Sequence, residues 1–423
     1  AAAAYVGAQF RAAGLSDVRL DEFEVQGVRG VNVTGVLPGT GPGLVVVGAH
    51  HDTAPESPGA YDDGGGVGVV IEVARALAPR PPPRTIVFAS WDGEEAWSTG
   101  KGITTTGSRA WLDALGPKAR QIVAAFVVEM SGWAGGTPVL HPIAYADPLR
   151  PGRQVIAPGW LVAASLRGAR AAGAPFGVGD PWLAWLYQPA VRTFRVRLYG
   201  DDLSFLQAGV PAVFASDSSF TAFYPWYHQP ADTADRLDAA ALARMGEAVR
   251  GAVEALAREP LPADPAPDWF AAFGVVAPRW ALLAVAAAVM APGLLRASAR
   301  GGVGLLVRVA QAGLLAALAW HNPVVALWIA SLPVLVTGLS GRRAALALAL
   351  LPALALGALG AVAAARGFLG GVWLGPWPLA ALGLVLALSA VPVSRDGGPR
   401  RRSGARPGGR VARRGLPGDR VTT

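Results

Sequence analysis

Leu44-Val45-Val46-Val47-Gly48-Ala49-His50-His51-Asp52 runs a short, unbroken apolar segment straight into an imidazole and a carboxylate. An apolar run of that length reads as a strand covered on both faces, the kind found inside an α/β sandwich. Residues 85–91, followed by Glu94-Glu95, and residues 122–130, containing Glu129, read the same way. Residues 5–14, 64–77, 160–172 and 239–257 have helical spacing, 201–207 reads as a short helix and 211–215 as another strand. Residues 18–25 and 30–36 alternate apolar and polar side chains, as half-exposed strands do. Strands alternating with helices imply an α/β fold built on a mostly parallel central sheet, with functional groups at the carboxyl ends of its strands.

Charge divides the chain. Residues 1–268 hold 27 Asp+Glu against 21 Lys+Arg, whereas residues 269–423 hold 2 against 16; together they make the formal net charge of +8. From Trp269 to Arg395 no acidic residue occurs. The basicity therefore belongs to a second region and is no footprint of a nucleic-acid partner. That region carries apolar runs near 280–295, 303–320, 323–339, 344–365 and 369–393, and runs of roughly 17–25 residues suffice to cross a bilayer. The expected organisation is a catalytic-type domain over 1–258, a Pro-rich linker over 259–268, an all-α transmembrane region over 269–394 with about five spans, and a basic, disordered tail over 395–423.

Orientation follows from the positive-inside rule. Arg296, Arg300, Arg342, Arg343 and the Arg-rich tail fall on one side, while the connections at His321-Asn322-Pro323 and around Arg366 are poor in Arg. The tail is then cytoplasmic and residues 1–258 lie outside. An exported domain needs a signal or a preceding span, and the chain opens on Ala1-Ala2-Ala3-Ala4; the expectation is a fragment whose amino-terminal signal or anchor precedes it. With no cysteine, disulfides play no part.

The chemistry-bearing residues gather in a few segments. His50-His51-Asp52 offers an imidazole ligand and a carboxylate to support it. His51 points the other way if the strand persists. Asp62-Asp63 opens a Gly-rich turn into a helix, where a carboxylate can bridge two cations and Asp63 can cap the helix. Glu94-Glu95 places two carboxylates side by side just past a buried strand; one can ligate while the other takes a proton from water. Tyr227-His228-Gln229-Pro230-Ala231-Asp232 supplies the second imidazole.

Taken together, these segments resemble metallopeptidase family 28, the co-catalytic zinc aminopeptidases, whose pattern is G-A-H-x-D, G-A-x-D-[DN]-x-[SG]-G, G-E-E, an acidic strand end and Y-H-x-x-x-D. The matching stretches are Gly48 to Asp52, Gly59 to Gly66, Gly93-Glu94-Glu95, Glu129 and Tyr227 to Asp232, with Gly200-Asp201-Asp202 and Phe205 matching a further stretch. The resemblance implies a zinc-exopeptidase-like sandwich and two Zn2+, with Mn2+ or Co2+ able to replace them. It implies one cation on His50, Asp62 and Glu129, a second on Asp62, Glu95 and His228, Glu94 as general base and Asp52 as support for His50. Three departures stand out: Glu129 where Asp is common, Gly65 in place of a common Ser (read as a minor change), and a stretch from 96 to 108 that is longer than usual. Tyr187, Tyr199, Tyr224 and Tyr227 are candidate oxyanion donors, and Trp182, Trp185, Phe223 and Trp226 candidate walls of an apolar subsite.

The leading expectation is a membrane-anchored aminopeptidase acting on peptide substrates, with membrane lipid as its other partner and its oligomeric state open. The alternatives are a glutaminyl-cyclase-like or carboxypeptidase activity on the same fold and a non-catalytic receptor. A transporter is disfavoured, because acidic residues are absent from the spans and Arg308 is the one clearly internal charge.

Overall fold

The computed structural model describes residues 1–95, 104–146, 154–180 and 184–260, then 269–272, 275–278, 302–321, 351–372, 376–390 and scattered positions between 262 and 334. Helix α1 (Ala2–Ala12) leads into the antiparallel pair β1 (Ser16–Val25) and β2 (Val28–Leu37). Next come β3 (Gly41–His50), α2 (Gly65–Leu77), β4 (Arg84–Trp91), α3 (Thr106–Leu115) and β5 (Ile122–Val128). Shorter pieces follow: β6 (Val139–His141), β7 (Tyr145–Ala146), β8 (Gln154–Val155), α4 (Gly159–Ala171) and β9 (Gly177–Val178). The domain finishes with α5 (Ala184–Thr193), β10 (Phe194–Val196), α6 (Asp202–Gln207), β11 (Ala212–Ser216) and α7 (Ala239–Arg258).

Eight strands form one sheet in the order β1-β2-β4-β3-β5-β11-β6-β9. The centre is parallel, since β3 pairs with both β4 and β5, and β5 with β11. Antiparallel pairing sets in on both sides, at β2 with β4 and at β6 with β11. The expected mostly parallel sheet therefore describes the middle and not the flanks. Val45, Val46 and Val47 have no exposed surface, because β3 lies between two strands and under helices. The two faces can be read from β4. Phe88 meets Phe10 of α1 on one side, and Trp91, three residues on, meets Trp111 of α3 and Phe205 of α6 on the other.

Parallel pairing puts the ends of β3, β4 and β5 at the same edge: His50, then the turn bearing Glu94 and Glu95, then Glu129. The helices α3 and α5 have no counterpart in the sequence reading. The long stretch after Glu95 hid the first, and Gly, Pro and Trp richness hid the second. Residues 96–103 of that stretch and Trp182 lie outside the described residues, as does the side chain of Trp185.

Beyond the domain come the hairpin β12 (Trp269–Ala272) and β13 (Val275–Pro278), α8 (Gly302–His321), α9 (Leu351–Ala365), β14 (Leu369–Val372) and α10 (Pro376–Ala390). Among the described residues no helix is long and apolar enough to cross a membrane. Helices α9 and α10 have 15 residues each, about 22 Å at the α-helical rise, against a hydrocarbon core of about 30 Å. The expected spans at 280–295 and 323–339, with the first part of 344–365, fall largely outside the described residues. The expected span 369–393 is corrected. Its first residues form β14, which pairs with β10 of the amino-terminal domain, because Gly367 at φ +78° turns the chain out of α9.

The reading of Gly65 as a minor change is also corrected. A Cβ at this position would come 1.9 Å from the Ser131 carbonyl oxygen, so the start of α2 touches the chain after β5 through bare backbone. Gly65→Ser must push these segments apart and is expected to cost about 1–3 kcal/mol, the usual penalty for overpacking. Thermal unfolding of the purified chain checks this: the variant should melt several degrees lower, and an unchanged melting point would show that the contact yields freely.

Candidate metal centre

Asp62 stands between the two imidazoles. Its Oδ1 lies 3.4 Å from His50 Nε2 and its Oδ2 3.1 Å from His228 Nε2. The same His228 nitrogen is 2.6 Å from Glu95 Oε1. Donor atoms of Asp62, Glu95 and His228 all lie within 4.8 Å of one another, close enough to share a cation. His50, Asp62 and Glu95 side chains are 1%, 5% and 3% exposed, whereas His228 is 16% exposed, so the site opens on the His228 side. Burial pulls the His50 imidazole toward its neutral form, but the Asp52 and Asp62 carboxylates outweigh it and raise its pKa. Burial alone would push Asp62 up; His228 and His50 hold it well below the usual carboxylate range.

Glu94 is buried beside this group, and burial pushes its carboxyl well above the usual range, with Glu95, Glu129 and Asp201 adding to the rise. Thr104 Oγ1 donates to the Glu94 carbonyl at 2.7 Å and approaches its Oε1 at 3.3 Å. Asp52 supports the site in a way the local motif does not reveal. Its carboxylate accepts from Glu94 N at 3.1 Å and Glu95 N at 2.9 Å, holding the acidic turn, while its carbonyl oxygen meets His50 Nδ1 at 3.0 Å. Glu129 is buried at the end of β5, and its Oε1 accepts from Asp201 N at 3.2 Å. Gly200 permits that approach, since a Cβ there would sit 2.3 Å from Glu129 Oε1. Burial pushes the adjacent Asp201 carboxyl up to about 6.

The donor set fits a divalent cation on its chemistry. Two imidazoles and several buried carboxylates are borderline nitrogen and oxygen ligands, which suit zinc. The acidic excess supplies the reason: uncompensated burial forces Glu94, Glu95 and Glu129 toward their protonated forms, and positive charge among them relieves it.

Behind the candidate ligands lies a hydrogen-bonded clamp. Asp232 is fully buried, and its Oδ1 accepts from Tyr61 N at 2.9 Å and from the Tyr224 hydroxyl at 3.1 Å. Its Oδ2 accepts from Asp62 N at 3.3 Å, and its carbonyl oxygen from Ala60 N at 3.2 Å. The loop carrying His228 thus grips the turn carrying Asp62. Asp217 holds the other side of that turn, accepting from the Tyr61 hydroxyl at 2.5 Å and from Gly132 N and Trp133 N at 2.7 and 2.9 Å. His228 itself has φ +57°, a left-handed conformation that a non-glycine residue keeps only when its surroundings enforce it.

The remaining candidates sort by position. His51 meets Ser90 Oγ at 2.9 Å and takes no part in the cluster. Asp63 caps α2, its Oδ1 accepting from Gly66 N at 3.0 Å. His141 stacks on Phe214 in the core, where burial lowers its pKa to about 4 and keeps it neutral. The Tyr187 hydroxyl pairs with His141, that of Tyr224 with Asp232, and Tyr199 stacks on Tyr145. Tyr227 alone of the four is stacked on a candidate ligand, its ring 3.7 Å from that of His228. Trp226 packs under the Arg236 guanidinium, which lies 4.0 Å from the ring centroid.

Fold and site together define an α/β protein with a buried metal-binding constellation at the carboxyl edge of its sheet. The chain belongs to peptidase family M28, whose family model matches residues 32–253. It is 26% identical over 236 residues to aminopeptidase YwaD of Bacillus subtilis, an alignment covering 52% of this chain and 43% of that one. It thus spans less than half the length of that relative. Similar solved structures include an aminopeptidase from Aneurinibacillus sp. strain AM-1, at TM-score 0.42 and 23% identity over 56% of this chain and 51% of that one. They also include a glutaminyl cyclase from Porphyromonas gingivalis, at TM-score 0.45 and 21% identity over 59% and 87%.

Asp232 was legible as a motif member but not as a clamp, because the amides it grips, those of Tyr61 and Asp62, are about 170 residues away. Asp232→Ala leaves the amide groups of Tyr61 and Asp62 without their acceptor, and it is expected to weaken zinc binding about 10–100-fold, as loss of a supporting partner does. Competition with a chromophoric chelator measures this; unaltered affinity would remove Asp232 from the support of the centre.

Proposed function

We propose that this chain is a zinc-dependent exopeptidase, an aminopeptidase that removes residues from the free amino ends of peptides. The observation that carries the reading is Asp62, whose two carboxylate oxygens each face a different imidazole while the buried Glu94 stands beside them. In this reading His50, Asp62 and Glu129 hold one cation, and Asp62, Glu95 and His228 the other. The cations, when bound, polarise the scissile carbonyl and favour ionisation of water. Glu94 accepts the proton of the attacking water and hands it to the departing amine, a task suited to a buried carboxylate beside the cluster whose proton affinity burial raises. Asp52 keeps Glu94 and Glu95 in register through their amides. Tyr227, beside His228 on the open side, is the candidate hydroxyl for steadying the oxyanion.

A second reading, a single-cation centre of glutaminyl-cyclase type, draws on a specific feature. The convergent donors are Asp62, Glu95 and His228, while Glu129 Oε1 is turned onto Asp201 N. Metal analysis of the purified chain separates the two: near two zinc ions per chain is the expected result, and one ion with release of cyclised product from glutaminyl peptides would favour the second. In parallel, Glu94→Gln is expected to lower turnover of free-amine peptides by at least about 100-fold while zinc content is kept. Retained hydrolysis would remove Glu94 as the base.

We also propose that the carboxyl-terminal region is seated in lipid, with residues 1–258 outside the cytoplasm. Its support is an inverted pattern: Leu306, Trp320, Leu351, Leu354 and Trp377 are exposed, whereas Arg308, Gln311 and Ser389 are buried between α8 and α10. The connection that meets the peptidase domain, β14, is one of the Arg-poor ones, as that orientation requires.

A further inference from the structure

From His228, on the open side of the centre, a row of aromatic rings runs to beyond the family-matched segment. Tyr227 stacks on His228, Phe223 meets Tyr227 edge-on at 5.1 Å, and Phe368 meets Phe223 edge-on at 4.9 Å. Phe368 also lies 5.6 Å from Phe220. Tyr227, Phe223 and Phe368 are all half-buried, so the row keeps apolar surface available beside the one ligand that is open to solvent.

Phe368 belongs to the carboxyl-terminal region, and both of its backbone groups are held. Its N–H donates to the Ala363 carbonyl at 2.8 Å, closing α9, and its carbonyl accepts from Arg197 N at 2.7 Å. Leu369 then pairs with Val196 in the β10–β14 ladder. Helix α9 reaches the domain by the same route, its bare Gly360 backbone lying against the Phe194 ring, where a Cβ would come 2.9 Å from the ring. The ring is thus positioned jointly by the two regions.

We infer that Phe368 is a specificity-determining residue, forming with Phe223 and Tyr227 an apolar wall that takes a bulky apolar side chain at the substrate's amino end. The carboxyl-terminal region then completes the cleft in addition to any anchoring role. This rests on the exopeptidase reading above, and the substrate class follows from the wall: a row of ring faces and edges rewards apolar contact.

The test compares kcat/KM of the full chain, with zinc, on a peptide beginning with Leu and one beginning with Ala. Phe368→Ala is expected to lower kcat/KM for the Leu peptide about tenfold while the Ala peptide stays within about twofold, in line with the discrimination a few buried carbons provide. Phe368→Leu keeps apolar bulk and is expected to retain most of the preference. An unchanged Leu/Ala ratio in Phe368→Ala overturns the inference, as does an equal fall on both peptides in both variants, which marks a purely structural residue. Failure of the unmodified chain to hydrolyse either peptide, with zinc bound, instead overturns the exopeptidase reading itself.

Discussion

The contact on which the site depends is the reach of Asp62 toward two imidazoles at once, with His50 at 3.4 Å and His228 at 3.1 Å. Those histidines lie 178 positions apart (228 less 50), one at the end of a central strand and the other on a loop before α7. A carboxylate can join them only if the Ala60–Gly64 turn and the His228 loop are held in fixed relation. Asp232 does this by gripping the backbone of the Asp62 turn from the same loop that carries His228. Buried charge-assisted hydrogen bonds of this kind are strong, and their geometry is unforgiving.

The same constraint accounts for the close packing around it. Glycine stands at 65 because the first turn of α2 must press on the Ser131 carbonyl, and at 200 because Glu129 must lie against the backbone before α6. Asp52 ties the Glu94-Glu95 turn to the end of β3, so the acidic pair moves with His50. Burial of these carboxylates is costly by itself. Positive charge shared among them would offset that cost, which is why a donor set of this kind suits a cation.

The carboxyl-terminal region meets this domain through a two-stranded ladder and a helix rather than through a linker alone. The ladder of β10 with β14 and the Phe368 ring bring residues from beyond the matched family segment to a place two rings, Phe223 and Tyr227, away from His228. The two strands form a sheet of their own, apart from the eight-stranded sheet, and each satisfies the backbone of the other.

Much of this was open to reading from the amino-acid order. Continuous apolar runs ending in His50, Glu94-Glu95 and Glu129 identified the central strands and the edge that carries the site, because side-chain burial and strand termini are local properties of the chain. His51 as a bystander and Asp63 as a cap also followed from alternation and turn chemistry. The antiparallel flanks, the clamp by Asp232, the tie from Asp52 to the acidic turn, the tight seat of Gly65 and the pairing of β14 with β10 were decided by tertiary structure alone. Each depends on which distant backbone group is brought alongside, and no local pattern of residues encodes a hydrogen bond to a partner some 170 positions away.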